Sequence, residues 1–415
     1  MNPRILYSIF IRDFRKQKKR MTLTIMAIAW GTISIMLLLA FGEGIKIQMD
    51  RNRKGLGEGI VIMWGGRTTI PFQGMGTGRN IRFAEEDVEY LQRRMPELRH
   101  VAGEYVRWGV QFKYGDKVYA ERVTGVYPCY EEIRSHYPRA GGRFINEIDM
   151  EQKRRVVFLG HTLKEKLFGN EEAVGKQILV NSVPFTVIGV MQEKNQMGMY
   201  NGPDENKASI PAATFAALYG HRYFNLIIYQ PREFDNMEGI ERRVFEVLGA
   251  RHKFDPNDNQ ALWLWDVYSG AVEFNNMMLG IQIFLGLIGG MSLLIAGVGV
   301  ANIMYVSIKE RTREIGVKMA MGARKRYILV QFLVESLIIV TAGGALGMSL
   351  SYILTEGFKR VPIESEVMDF MGRPTISPEI GIIVIIILGI IGFVSGIFPA
   401  MKAASVNPVE SLRYE

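Results

Sequence analysis

The sequence predicts an α-helical polytopic membrane protein with four transmembrane helices and a large α/β extracytoplasmic domain inserted between helices 1 and 2. Three runs, 21–41, 277–308 and 380–401, contain no charged residue, and a fourth, 328–355, contains only Glu335. Each run is long enough for a helix that crosses a hydrocarbon core, which takes about 20 residues. No such run occurs between residues 42 and 276, where short alternating segments instead indicate a folded domain outside the membrane.

Residues 1–20 are predicted to form a cytoplasmic amphipathic helix at the membrane interface. Their apolar positions share one side of the helix, and these are Ile5, Leu6, Ile9, Phe10 and Phe14. Transmembrane helix 1 follows at 21–41. It is too long for the apolar core of a signal peptide and lacks a small-residue cleavage pattern, so we expect it to remain as an anchor. Ile45 and Met49 keep the helical spacing, which predicts a stalk beyond the bilayer, with 273–279 as its descending counterpart.

Residues 42–276 are predicted to contain this stalk and a two-lobed domain. One lobe is split into about 57–127 and 223–267, because each part has the order strand, helix, strand, and the other lobe, about 128–222, is inserted between them. The predicted strands are 59–64, 101–114 with a turn at 115–116, 156–160, 176–180, 184–190, 224–229 and 260–267, and the predicted helices are 84–94, 162–168 and 234–248. The only cysteine, Cys129, excludes an intrachain disulfide.

The distribution of charge predicts the topology of the remaining segments. Seven Lys or Arg residues fall between 308 and 328, whereas the loop 356–379 has three bases and five acids. By the positive-inside rule, both termini and the loop 307–327 are cytoplasmic in a bacterial plasma membrane. The segments that follow the outer domain are then transmembrane helix 2 (277–306), the cytoplasmic loop (307–327), helix 3 (328–355), a short extracytoplasmic loop (356–379), helix 4 (380–401) and a cytoplasmic tail (402–415). The net charge of +8 therefore requires no nucleic-acid partner.

The cytoplasmic loop is predicted to be a helix on the membrane surface. Ile308, Thr312, Ile315 and Met319 recur at steps of four, three and four, which places them on one stripe. The other side is mostly ionic, and each acid stands one turn before a base, as in Glu310 with Arg313 and Glu314 with Lys318. A solvated helix whose charges only fix the membrane topology is the alternative interpretation.

The sequences of this loop and of two further segments resemble those of the FtsX-like permease family. The resemblance is to the MacB-type permease subunits of ABC transporters in particular, without a fused nucleotide-binding domain. The loop contains ERTREIG from residue 310 and a Gly-Ala pair at 322–323, followed by an apolar helix. RMTLTIMAIAWG at 20–31 resembles the first membrane entry of the family, and FPAMKAASVNPVESLRYE at 398–415 resembles its carboxyl-terminal ending.

This resemblance implies a transport permease that acts by mechanotransmission. ATP hydrolysis by a separate ABC ATPase subunit would drive movements outside the cytoplasm that serve efflux or the export of lipoproteins or lipids. The partners implied are that ATPase, a second permease subunit in a homo- or heterodimer, and a periplasmic adaptor with an outer-membrane channel or a lipoprotein carrier. The alternative is an FtsX-like regulator of a cell-wall hydrolase, and a membrane-anchored enzyme is a third class.

The resemblance also implies that the loop is where the ATPase couples. The loop residues assigned to coupling are Lys309, Glu310, Arg311, Thr312, Arg313, Glu314, Ile315, Gly316, Val317, Lys318, Met321, Gly322 and Ala323. On a helical wheel, Val317 and Met321 project from the ionic side, so we expect them to insert into a groove of the ATPase, with packing against the protein's own helix ends as the alternative. Glu335 is the one ionisable residue within a span; we interpret it as half of a structural ion pair with a base such as Lys309 or Lys402, rather than as a proton or substrate site.

The residues offer no pattern for catalysis, metal binding or a bound cofactor, and ATP with Mg²⁺ is expected only on the partner. GNEEAVGKQ at 169–177 has five residues between its glycines where a phosphate-binding loop has four, and Gln177 stands where Ser or Thr would hold magnesium. The five histidines are scattered without metal-ligand spacing. Three Gly-x-x-x-Gly pairs in the spans, 286/290, 343/347 and 392/396, indicate close helix packing within or between subunits.

Overall fold

The computed structural model describes residues 18–194, 196, 200–361 and 372–406. The chain divides into two compact units, one of residues 1–49 with 275–415 and one of residues 50–274. The predicted amphipathic helix before residue 18, residues 362–371 of the loop 356–379 and the carboxyl-terminal motif beyond residue 406 lie outside the described residues.

The helices and strands of the described residues are numbered in chain order. They are α1 Lys18–Leu56, β1 Val61–Gly65, α2 Glu85–Arg94, β2 Leu98–Tyr114, β3 Lys117–Val126, α3 Tyr130–Ile133, α4 Glu147–Glu151, β4 Val156–Leu159, α5 His161–Phe168, β5 Gln177–Val180, β6 Val183–Val190, β7 Ala208–Pro211, α6 Ala212–Tyr219, β8 Leu226–Pro231, α7 Met237–His252, β9 Leu262–Asp266, α8 Val267–Glu310, α9 Thr312–Ala320, α10 Lys325–Arg360 and α11 Pro378–Ala404. A 3₁₀ turn, Asp204–Asn206, precedes β7.

Four helices of the described chain, α1, α8, α10 and α11, are long and apolar enough to cross a membrane. Each contains one of the apolar runs that predicted a span, and each extends beyond that run at both ends. The first continues to Leu56 and the second begins at Val267, so helical structure covers both segments predicted as stalks.

Small residues allow the membrane helices to approach closely. A side chain at Gly343 or Gly347 of α10 would collide with Ile28 or Thr32 of α1. Two turns before Gly343 on α10, Ser336 donates a hydrogen bond of 3.1 Å to the carbonyl oxygen of Gly392 in α11. Two of the three predicted glycine pairs therefore serve packing within the chain.

The strands of the outer unit follow the order β3-β7-β4-β6-β5-β2-β8-β1-β9. The part β2-β8-β1-β9 is antiparallel, with Val61 opposite Tyr229 and Met63 opposite Leu264. Its helices α2 and α7 bury Leu91 and Leu248 in the same apolar cluster as β1 and β8. This is the predicted lobe built from two strand–helix–strand halves that are distant in sequence.

The second lobe is a ring of six strands. Because β2 pairs with both β3 and β5, the order β3-β7-β4-β6-β5-β2 returns to its starting strand, and Phe112 lies opposite both Tyr119 and Val180. The pairs β3–β7 and β4–β6 are parallel. The long strand β2 takes part in both lobes, and it bends at a bulge between Arg107 and Val110, where Gly109 adopts a φ of +69°.

The position of β3 differs from the predicted division at residue 127. Strand β3 was assigned to the split lobe, but it pairs along its second half with β7, so it belongs to the inserted lobe. The boundary between the lobes falls inside β2, because residues 98–104 pair with β8 and residues 105–114 pair with β3. Strand β7 and helices α3, α4 and α6 have no predicted counterpart, whereas the predicted strands and helices of the domain are present within a few residues.

Residues 57–265 are expected to fold as a soluble domain when cut from the rest of the chain. Their strands close on each other, and their apolar clusters contain residues of the outer unit only. The expected result is a soluble, monodisperse protein with one cooperative thermal transition, measured by circular dichroism. A fragment that stays insoluble, or that melts without cooperativity, would contradict these boundaries.

A cluster of charged residues is buried between the segment that follows α3 and the 3₁₀ turn that precedes β7. Asp204, 2% exposed, lies at its centre; Oδ2 is 2.9 Å from Arg134 Nη2, 3.2 Å from His136 Nε2 and 2.9 Å from Lys194 Nζ. Its Oδ1 is 2.8 Å from Lys207 Nζ. Burial opposes ionisation of Asp204, but the surrounding positive charges, Arg134 foremost, outweigh it and hold the pKa of the carboxyl well below its usual range.

The stability of the outer domain is expected to fall as the pH decreases below about 6.5. Burial and the charges of Lys207 and Lys194 hold the pKa of His136 well below its usual value, so His136 stays neutral when folded and takes up a proton only on unfolding. The unfolded state then binds more protons, and the free energy of unfolding should decrease by about 1.4 kcal/mol per pH unit for this one group. Urea unfolding of the soluble domain between pH 7 and 5 measures this slope.

The matched control for this slope is His136→Phe. Phe144 and Phe158 already surround the ring of His136, at centroid distances of 6.1 and 6.4 Å, so a phenyl ring is chemically suited to the position. The variant should lose the additional slope below pH 6.5. An unchanged slope would assign the pH dependence to other groups.

Candidate coupling site at the α8–α9–α10 turns

The loop 307–327, in which a short surface helix is predicted, contains one separate helix, α9, and the helical structure is broken on both sides of it. Helix α8 ends at Glu310, and Thr312 stabilises that end, because its hydroxyl donates to the carbonyl oxygens of Ile308 and Lys309 at 3.0 Å each. The predicted stripe crosses this break, because Ile308 belongs to α8 whereas Thr312, Ile315 and Met319 belong to α9.

The second break is a glycine-terminated helix end. The backbone N–H groups of Gly322 and Ala323 donate to the carbonyl oxygens of Met319 and Lys318, both at 3.0 Å, and Gly322 adopts a φ of +97°. This is the arrangement of a Schellman motif, in which the left-handed residue favours glycine. The chain then turns into α10 at Lys325, so α9 is held between two membrane helices by short connections.

One face of α9 is buried against the membrane unit, as the stripe predicts. Ile308 and Ile315 are 4% and 3% exposed, and Met319 packs against the same apolar cluster as Ile328 and Phe332. Gly316 is buried beside Ile315. The burial of this face fixes which side of α9 is directed outward.

The outward face of α9 carries apolar side chains among charged ones. Val317 is 39% exposed and Met321 is 78% exposed. Arg313 is exposed one turn before Val317, and the exposed bases Arg324, Lys325 and Arg326 follow Met321. Val317 and Met321 thus form the centre of an outward-facing patch with a basic surround.

The acids of the predicted polar rim take part in ion pairs at this surface. Glu314 lies 3.0 Å from Lys318 one turn along α9, and Glu310 lies 3.9 Å from Arg20 of α1. Exposed pairs of this kind contribute less than about 1 kcal/mol each. Whether these residues contact an ATPase remains a prediction.

Glu335 forms a buried ion pair with the residue at the first break. Arg311 Nη1 lies 3.2 and 3.3 Å from the two carboxylate oxygens of Glu335, and the side chains are only 15% and 8% exposed. Gln331 donates a further hydrogen bond of 3.3 Å to Glu335 Oε1. Arg311 was not among the bases considered from the sequence, because a continuous helix gives no reason for its side chain to turn toward α10.

Two family descriptions match the chain. Residues 21–246 match the MacB-like periplasmic core domain, and residues 286–408 match the FtsX-like permease C-terminal domain. Together they cover α9, α10, α11, nearly all of α1, the second half of α8 and most of the outer unit.

The curated relatives are transport proteins. The Macrolide export ATP-binding/permease protein MacB of Chlorobaculum tepidum is 31% identical, over 100% of this chain and 62% of the relative, and that of Bdellovibrio bacteriovorus is 29% identical, over 96% and 60%. The Pyoverdine export ATP-binding/permease protein PvdT of Pseudomonas aeruginosa is 30% identical, over 95% and 56%. The chain therefore spans about three fifths of the length of the relatives it matches.

Among solved structures, the periplasmic region of MacB from Actinobacillus actinomycetemcomitans is 19% identical and covers 54% of this chain and 96% of its own, with a TM-score of 0.43. The family assignment rests on the two sequence matches, of which the first alone covers more than half of the chain. The chain is a multi-pass membrane protein that belongs to the MacB-type, FtsX-like permease family of ABC transporters.

Proposed function

We propose that this chain is the permease subunit of an exporter that works by mechanotransmission, with ATP hydrolysed by a separate ABC ATPase subunit at its cytoplasmic side. The observation that carries the proposal is the outward patch of α9, where Val317 and Met321 are exposed among charges while the opposite face is buried. Apolar residues in a polar surround are typical of the centre of a protein–protein interface.

The connections of α9 support a mechanical role. Helix α8 is one uninterrupted helix of 44 residues that begins directly after β9 and ends one residue before α9. At 1.5 Å per residue it is about 65 Å long. No loop separates α8 from β9, the last strand of the outer domain. A displacement of α9 could therefore be transmitted along α8 to that strand.

The proposed cargo is handled outside the cytoplasm, in efflux or in lipoprotein or lipid-type export. The names of the relatives join export with ATP binding and a permease, which supports the export class for this chain. An adaptor with an outer-membrane channel, or a lipoprotein carrier, would complete such a machine. The proposed orientation places α9 and both termini in the cytoplasm, following the seven bases between 308 and 328.

The test of this function is ATP hydrolysis with and without a partner. The purified chain should hydrolyse no ATP, and it should form a complex with an ABC ATPase whose turnover the chain changes by severalfold in proteoliposomes. Turnover that persists in the purified chain after every co-purifying ATPase is removed would overturn the proposal. Cysteine labelling of α9 in sealed vesicles tests the orientation separately.

A second permease subunit is proposed to pack on α8. The third glycine pair is Gly286 and Gly290 of α8. A Cβ atom added at either position would have no neighbouring atom of the described residues within 4 Å, unlike one added at the pairs in α10 and α11. Ile283, Leu287 and Leu294 are exposed along the same stretch. Because the described residues leave this pair open, the close approach that it permits is available to another helix.

Replacing Gly286 and Gly290 together by Leu is expected to shift the monomer–dimer equilibrium toward monomer by about tenfold or more. The new side chains meet open space within the described chain, so the fold should be retained. Native mass spectrometry in detergent measures the shift. The control is Gly381→Leu with Gly389→Leu in α11, which are equally open; an equal effect in both variants would point to lipid contact and not to a subunit interface.

A further inference from the structure

The outer domain contains a cleft of about 440 Å³ that no part of the coupling site explains. Its lining comes from the end of α1, the segment after α3 and the segment after β6, and includes Arg51, Lys54, Ser135, Tyr137, Glu193 and Lys194. All of these residues belong to the same compact unit.

The lining of this cleft is predominantly cationic. It has three basic side chains, Arg51, Lys54 and Lys194, and one carboxylate, Glu193. Glu193 lies 4.0 Å from Arg139, which offsets its charge. Arg51 and Lys54 are the two exposed cations of this lining, and cations around one open cleft create a positive potential that concentrates anions.

The inner wall of the cleft continues into the buried charge cluster. Lys194 is 11% exposed, and its Nζ lies 2.9 Å from Asp204 Oδ2 and donates a hydrogen bond of 2.7 Å to the carbonyl oxygen of Arg134. The rims differ from this wall, because Arg51 and Lys54 are exposed. Lys194 thus joins a solvent-accessible cleft to the domain interior.

The interior behind Lys194 holds more basic than acidic side chains. The buried bases around Asp204 are Arg122, Arg134, Lys194 and Lys207, and the buried acids are Asp204 and Glu104. Among the described residues, Nε and Nη1 of Arg134 have no hydrogen-bond partner. Burial lowers the pKa of Lys194 to about 8 and that of Lys207 to about 7; Asp204 opposes this lowering, and neighbouring arginines add to it.

We propose that this cleft binds a phosphomonoester anion, with Lys194 at its inner wall and Arg51 and Lys54 at its rim. A phosphomonoester carries between one and two negative charges near pH 7, so the two exposed cations of the rim match it better than they match a single carboxylate. Lys194 adds a donor at the inner wall and shares its charge with Asp204. Lysine ammonium and arginine guanidinium groups are the usual partners of phosphate oxygens. Free phosphate and the headgroup of a phosphatidic acid share this chemistry.

The cleft lies outside the coupling site, so binding can be measured on the full chain without an ATPase. Inorganic phosphate is titrated into the chain in detergent at constant ionic strength by calorimetry. The chain in nanodiscs with and without phosphatidic acid is compared by native mass spectrometry. Arg51→Gln with Lys54→Gln should weaken the binding at least tenfold, whereas Lys117→Gln with Lys153→Gln, which removes two exposed bases elsewhere on the domain, should leave it unchanged.

The outcomes separate the two sources of the ligand. Phosphate binding that the cleft variant loses identifies a free-phosphate site, and retention of phosphatidic acid alone that the variant loses identifies a headgroup site. Binding should also weaken between pH 7.5 and 9, where phosphate keeps its charge and Lys194 loses its proton. Absence of binding to both probes, or equal binding by the cleft and control variants, would overturn the proposal. Lys54→Arg changes the same position but keeps the charge, so it should retain binding. That result would assign the loss in the cleft variant to the missing charges and not to a change of side chain at this position.

Discussion

Replacing Val317 and Met321 together by Ser is expected to abolish transport and to weaken association with the ATPase by about 30-fold or more. The reason is the position of the two side chains at the centre of an outward patch, 39% and 78% exposed. Truncating residues at an interface centre commonly costs about 2 kcal/mol or more, which corresponds to roughly 30-fold in affinity. Co-purification and surface plasmon resonance measure the affinity, and export from proteoliposomes measures the transport.

The fold should be unaffected by this variant, because neither side chain is buried in the described chain. The matched control is Ile382→Ser with Ile386→Ser, two apolar residues of α11 that are 57% and 55% exposed but lie within a membrane span. The control should bind the ATPase with normal affinity. If the α9 variant also binds normally and transports normally, the docking face lies elsewhere on the loop and the two residues only pack near the membrane surface.

The transmembrane helices and the lobe built from two distant halves can be predicted from the sequence, because each is marked by a pattern within one short stretch of chain. A span is an uninterrupted apolar run, and each half of the split lobe has its own order of strand, helix and strand. The assignment of β3 could not be predicted in this way. The sequence of β3 is compatible with pairing to β2 or to β7. In the structure β3 pairs with both strands, because these two pairings close the six-strand ring.

The coupling loop shows a similar limit. Its buried stripe was predictable from spacing, since Ile308 and Ile315 are both buried. The break at Arg311 was not, because Thr312 fits the stripe and also caps the end of α8 through its hydroxyl. A Thr or Ser next to a Glu-Arg pair at the end of a long apolar helix is the signal that could have suggested a helix end there.

The buried charge cluster around Asp204 was also invisible to the sequence. Its bases, Arg122, Arg134, Lys194 and Lys207, come from four different segments and read individually as surface residues. Only tertiary pairing brings them to one carboxylate.

Removing the carboxylate of Glu335 alone is expected to have the largest effect on the membrane unit. Glu335→Ala removes this carboxylate from the guanidinium of Arg311, whose native side chain is only 15% exposed, and breaking a buried pair in this way costs about 3–5 kcal/mol. The thermal transition of the purified full chain should fall by several degrees. Because Arg311 lies between α8 and α9, transport per ATP hydrolysed should fall as well.

Replacing both partners distinguishes a structural pair from a proton or substrate site. Arg311→Met with Glu335→Leu removes both charges of this pair, and apolar replacement of a buried pair is commonly neutral or stabilising. We therefore expect the double variant to regain the thermal stability lost in Glu335→Ala and to recover most of the transport. Recovery of stability with no recovery of transport would show that the carboxylate itself takes part in moving a proton or a substrate. Since Arg311 contacts both oxygens of Glu335 and Gln331 donates to one of them, the geometry is that of an anchoring contact that holds the start of α9 against α10.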